Sequence, residues 1–205
     1  MSLAHLLTAF VTIFAVELPD KTFVATLVLA TRYRALMVWI GVTAAFLVQT
    51  AVAATAGGFI ANLPRTPVEI VAGLLFLAGG IILIAGANKA DREAEEEEAE
   101  VASKARAGVH GLRAIGASFL VLFVAEWGDL SQLLTAALVV RTHDPLSIGV
   151  GAFVALATVS ALAAVLGRAL LKRVRLATIR RIGGAVCLVL AFITLLEIVG
   201  VELPF

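Results

Sequence analysis

Two short stretches of this chain carry carboxylates where carboxylates are costly. Glu17-Leu18-Pro19-Asp20-Lys21-Thr22 and Glu126-Trp127-Gly128-Asp129-Leu130-Ser131 share one pattern: a glutamate, two residues, an aspartate, one residue and a hydroxyl. On a helix, residues three apart lie on one face, so each copy presents two carboxylates in one direction. Both copies sit inside long apolar runs, and a charge at bilayer depth costs about 2.5 kcal/mol even on a lenient scale. Hard divalent cations take six or more oxygen ligands, and these motifs supply carboxylate and hydroxyl oxygens with no histidine, cysteine or methionine. Calcium and manganese fit such a set better than zinc or copper. The candidate cation ligands are therefore Glu17, Asp20, Thr22, Glu126, Asp129 and Ser131. Gln132 joins them, although an amide there also serves as an interhelical hydrogen-bonding group.

The elements that must position these residues are membrane helices. Hydrophobic residues make up 61% of the chain and charged residues 15%, outside the usual balance of a soluble domain. A helix needs about 20 residues to cross the hydrocarbon core, and the sequence offers six such segments. The first runs from about Leu3 to Thr31, carries the first motif and is interrupted at Pro19; it continues past the length of a cleavable signal and is read as a spanning helix. The others run from about Ala35 to Leu63, Val68 to Ala87, Ala114 to Val140, Leu146 to Leu170 and Ile182 to Gly200. Residues 88–113, with the acidic run Asp91–Glu98, read as a solvated linker or a frayed helical extension. The lone cysteine, Cys187, falls in an apolar run and suits packing.

The chain thus divides into a first three-helix repeat (1–87), a charged linker (88–113) and a second repeat (114–205). At one constant offset Glu17 matches Glu126, Asp20 matches Asp129, Thr22 matches Ser131, Thr26 matches Thr135 and Arg32 matches Arg141. With a one-residue adjustment, Ile40-Gly41-Val42 matches Ile148-Gly149-Val150 and Thr50 matches Thr158. An odd number of spans per repeat sends the second half into the membrane from the opposite side, the inverted-repeat plan of many transporters, whose sites lie where the repeats meet. Basic residues collect at Arg32 and Arg34, between Lys89 and Arg113, and between Arg168 and Arg181, while the opposite face has Arg65 and Arg141. The positive-inside rule then puts both termini outside and the linker in the cytoplasm of a multi-pass protein, expected in a bacterial cell membrane. The fold expectation is an all-α polytopic membrane protein of six transmembrane helices in two inverted repeats.

Four carboxylates in one buried site need compensating charge. Lys21 either supplies some of it or extends toward an interface. A cation and protons competing for Glu17, Asp20, Glu126 and Asp129, combined with rocking of one repeat against the other, suffice for antiport. No resident cofactor and no nucleic-acid partner is expected; the partners are the bilayer, a divalent cation and protons. Two other readings stand beside this one. Asp20 and Asp129 could form an intramembrane aspartyl protease, whose paired carboxyls share a proton, but Glu17 and Glu126 then have no purpose. A divalent cation channel is the other.

These motifs carry a resemblance. Two copies of Glu-x-Gly-Asp-Lys/Arg-Thr/Ser on six spans around a charged central loop resemble the cation/proton exchanger family typified by transmembrane protein 165, also called uncharacterised protein family 0016 or the calcium/cation antiporter-2 group. The resemblance covers both halves. It implies exchange of manganese or calcium for protons, with the motif acids as ligands, no enzymatic activity, and manganese export in bacterial members. The chain departs from the pattern at Pro19, which replaces the first glycine, and at Leu130, which replaces the second basic residue.

Overall fold

A computed structural model of the chain describes residues 1–18, 21–62, 65–104, 111–173 and 176–199. Pro19 and Asp20 lie outside the described residues, as does the side chain of Lys21. The secondary structure of the described residues is helical, with α1 (Leu3–Glu17), α2 (Lys21–Arg32), α3 (Ala35–Ile60), α4 (Arg65–Gly86), α5 (Ala90–Lys104), α6 (Leu112–Ala125), α7 (Leu130–Thr142), α8 (Pro145–Arg173) and α9 (Leu176–Ile198), and a short 3-10 turn, Ala87–Lys89, before α5. Among them, three single helices are long and apolar enough to cross a membrane, or five spans if each bent pair counts as one. The sixth expected span falls on α9, which packs along α4.

Both motif-bearing segments are bent. The first pair turns by 71° between Leu3–Glu17 and Thr22–Arg32, and the second by 70° between α6 and α7. Proline has no N–H to donate to the preceding turn, which explains from sequence why α1 ends where it does. In the second pair Gly128 takes φ +78, a left-handed conformation that glycine adopts without a Cβ penalty. Asp129 then caps α7, its carboxylate accepting from the Ser131 N–H at 3.5 Å. The next corner is built by His143, left-handed at φ 54, followed by Asp144, whose Oδ1 accepts from the Ser147 N–H at 3.1 Å, and by Pro145 in the first turn of α8, where its missing donor is harmless.

The long helices pack against the broken ones across the two halves: α3 on α6 and α7, α8 on α1 and α2. Two of these crossings repeat in detail. A methyl group added to Gly41 would overlap the carbonyl oxygen of Ile115 and press on Ser118, and one added to Gly151 would overlap the carbonyl oxygen of Leu6 and press on Ala9. Leu6 and Ala9 correspond to Ile115 and Ser118 at the offset that aligns the two motifs. The contact therefore pairs Gly41 with Gly151, which corrects the sequence match of Gly41 to Gly149 and of Thr50 to Thr158. The residue inserted at the His143 corner moves the register the other way.

Of the two expectations for the acidic segment, its described part follows the helical extension rather than a free linker. Residues 90–104 form α5, with Arg92 and Glu96 bonded one turn apart at 3.0 Å. Ala90 and Val101 are buried, Ala94 and Ala102 pack on the core, and the helix rests on α2 and α9. A strip of small apolar residues on an otherwise charged helix is sufficient to dock it. Arg180 of α9 fastens the junction, donating to the Gly86 carbonyl at 3.2 Å and to the Glu93 carboxylate, while Arg181 donates to Asn88 Oδ1 at 2.9 Å.

Candidate cation site

The two breaks meet. Glu17 ends α1 and is fully buried, Glu126 caps the C-terminus of α6 and is 2% exposed, and Asp129 begins α7. One carboxylate oxygen from each lies within 4.8 Å of the others. Glu17 thus joins two acids more than a hundred residues later in sequence, Glu126 and Asp129, in one largely buried cluster. Negative charges that close, away from bulk water, require positive charge among them, supplied by a metal ion, a proton or a basic side chain.

The surroundings add oxygen donors. Thr22 is fully buried in the first turn of α2, and its hydroxyl has no hydrogen-bond partner among the described residues. Ser131 is buried in the corresponding turn of α7. Gln132 spends its amide on the break itself, Nε2 donating to the Glu126 carbonyl at 2.5 Å and Oε1 accepting from the Gly128 N–H at 3.4 Å. Gln49, from the middle of α3, donates through Nε2 to the Phe123 carbonyl at 3.1 Å. The helix ends also contribute. C-terminal ends of half-helices expose carbonyl oxygens and the negative end of the helix dipole, a pattern that holds cations in transporters with interrupted helices.

Among the expected ligands, then, Glu17, Glu126 and Asp129 are brought together and Thr22 and Ser131 occupy matching first turns. Asp20 falls outside the described residues and Lys21 outside the described side chains. Two further buried hydroxyls stand outside the expected ligand set. Thr26 lies one turn after Thr22 on the same face of α2, and Ser118 lies on α6; neither hydroxyl has a partner among the described residues. The i, i+4 spacing of Thr22 and Thr26 was a readable signal, whereas nothing around Ser118 distinguished it from an ordinary membrane-helix serine.

A family model described as the divalent cation/proton antiporter GDT1 matches residues 5–91 and 114–202. The chain belongs to the GDT1 family. The two matched blocks of this GDT1 chain leave out residues 92–113, which include most of α5. It is 31% identical over 176 residues to the GDT1-like protein sll0615 of Synechocystis sp., covering 82% of the chain and 85% of that relative. It is 30% identical over 210 residues to the chloroplastic protein PAM71 of Arabidopsis thaliana, covering 94% of the chain and 56% of PAM71. GDT1-like protein 1 of Oryza sativa subsp. japonica is 32% identical over 213 residues, 94% of the chain and 62% of the relative. The chain therefore spans little more than half the length of the two chloroplastic relatives. No solved structure matches it.

Proposed function

We propose that this GDT1 protein exchanges a divalent cation, manganese or calcium, for protons, and expels the cation from the cytosol. The observation that carries the reading is the cluster of Glu17, Glu126 and Asp129 within 4.8 Å, an all-oxygen set drawn from both halves. Asp20 is the fourth acid of the set, Thr22 and Ser131 add hydroxyls, and Lys21 tunes the charge. Oxygen donors of this kind suit manganese and calcium. When the cation leaves, protons take its place on the same carboxylates, so loading with one species excludes the other. The family's description as an antiporter favours transport over peptide hydrolysis by two aspartates.

The architecture proposed for this exchange is six spans in two inverted repeats, α9 being the sixth span. The matched Gly41 and Gly151 crossings and the near-equal bends of 71° and 70° support it. The distribution of basic residues supports a cytoplasmic α5 with both termini outside. Purified protein reconstituted in vesicles tests the function directly. Under an imposed pH gradient, Mn2+ or Ca2+ should move against the proton flow, and each cation should compete with the other. Cation flux that ignores the pH gradient would refute exchange, and flux that does not saturate would point to a channel.

A further inference from the structure

The two breaks are backed by different chemistry. At the second, α6 stops at Ala125, Glu126 N–H closes the last turn onto the Leu122 carbonyl, and Asp129 N–H bonds the Glu126 carbonyl at 3.3 Å. The Phe123 carbonyl, whose helical donor would be Trp127, receives the Gln49 amide instead. At the first, Leu18 N–H still donates to the Phe14 carbonyl at 3.0 Å. Phe14 and Leu18 are the counterparts of Phe123 and Trp127, and the Gly41–Gly151 register makes Val159 the counterpart of Gln49. Phe23 is the counterpart of Gln132. Val159 and Phe23 are buried together with Ala163, and Phe14, Leu18 and Leu162 pack against them. Where the second break has two carboxamides, the first has an apolar cluster.

From this contrast we infer that Gln49 is a positioning residue for the cation site, and that the second break, braced by Gln49 and Gln132, is the half that sets cation affinity. Gln49 is 2% exposed and reaches the carbonyl three residues before Glu126. Fixing that carbonyl fixes the last turn of α6, and with it the direction in which Glu126 meets Glu17 and Asp129. A carboxamide is suited to this because it donates without adding charge near three acids. The first break needs no such brace, because its equivalent carbonyl keeps its backbone donor. The inference rests on the antiport reading only in taking the bound species to be a divalent cation.

Two measurements test it: Mn2+ binding to the purified full chain in detergent by titration calorimetry, and exchange in vesicles. Gln49→Met removes the donor at similar volume, and Gln49→Asn keeps a donor but withdraws it by one methylene. Partners that orient metal ligands are typically worth about 10–100-fold in affinity, so Gln49→Met should raise the Kd and KM for Mn2+ by about tenfold with the maximal rate changed by less than about threefold. Gln49→Asn should fall between it and the parent, and Val159→Gln should leave the Kd unchanged. Unaltered Mn2+ affinity in Gln49→Met would overturn the inference. So would loss of folding in both Gln49 variants, or a parallel fall of rate and thermal stability at constant KM, since each makes Gln49 structural. If the parent binds Mn2+ without exchanging it for protons, antiport fails while the affinities still decide the role of Gln49.

Discussion

Where α3 crosses α6 and where α8 crosses α1, the same contact is made twice, with Gly41 on the Ile115 carbonyl and Gly151 on the Leu6 carbonyl. The two breaks beside those crossings share a bend of about the same size but not a lining, since Gln49 and Gln132 face one and Val159 and Phe23 the other. The crossings carry the frame and leave no free space for an added methyl group. The breaks carry the chemistry and have diverged. A duplicated scaffold therefore does not imply duplicated half-sites, and the comparison can be broken or sharpened by mutation.

The largest effects belong to the acids. Glu17→Gln and Glu126→Gln should each lower exchange by more than about a hundredfold, given that orienting partners alone are worth 10–100-fold, while membrane insertion is retained. Glu126→Gln should weaken Mn2+ binding more than Glu17→Gln; equal losses would remove the asymmetry between the breaks. Next come the crossings. Overpacking a tight core costs about 1–3 kcal/mol, so Gly41→Ala and Gly151→Ala should each lower thermal stability in detergent by that amount, and by similar amounts. A large difference between them would mean that the frame is not duplicated either.

A smaller effect is expected at the α4–α5 junction. Arg180 is mostly buried but Glu93 is half exposed, so solvent screening reduces their pairing. Arg180→Gln should cost about 1 kcal/mol, read as faster proteolysis within α5. The smallest effect concerns the starts of the long helices. Arg34 begins α3 with no side-chain cap, whereas Asp144 begins α8 with a carboxylate held well below the usual range by the Ser147 hydroxyl and N–H, with His5 and Ser2 adding to it. A depressed carboxylate stabilises the fold above its unfolded pKa of about 3.9, and that stability is lost as pH falls through the lower folded value. Asp144→Asn should therefore flatten the pH dependence of unfolding below pH ~4, as followed by thermal unfolding across a pH series.

Much of this was legible because the decisive signals are local. Pro19 lacks a donor and Gly128 lacks a Cβ, so both breaks could be placed from sequence, and the repeated acids pointed to a shared site. The register of α3 against α8 was not legible. Matching the Ile-Gly-Val triplets selects Gly149, but what fixes the crossing is the glycine that meets a carbonyl, and that depends on the extra residue at the left-handed His143 corner. Docking of α5 was hidden for another reason. Its contacts are alanines and one valine scattered among glutamates, too weak a stripe to outweigh the charge. Gln49 is a lone amide in an apolar helix, and nothing in its sequence neighbourhood points to its carbonyl partner on α6.

The interlaced crossings also bear on how the molecule is made. Ser2 bonds Ser147 across 145 positions, and α1 meets its glycine partners, Gly151 and Gly183, only once those later residues have been made. Until then the helix ending at Glu17 waits in the bilayer with neither its packing partner nor the acids of α6 and α7. A chain stopped after α4 is thus an incomplete assembly, lacking the helices that bury Glu17 in the finished protein.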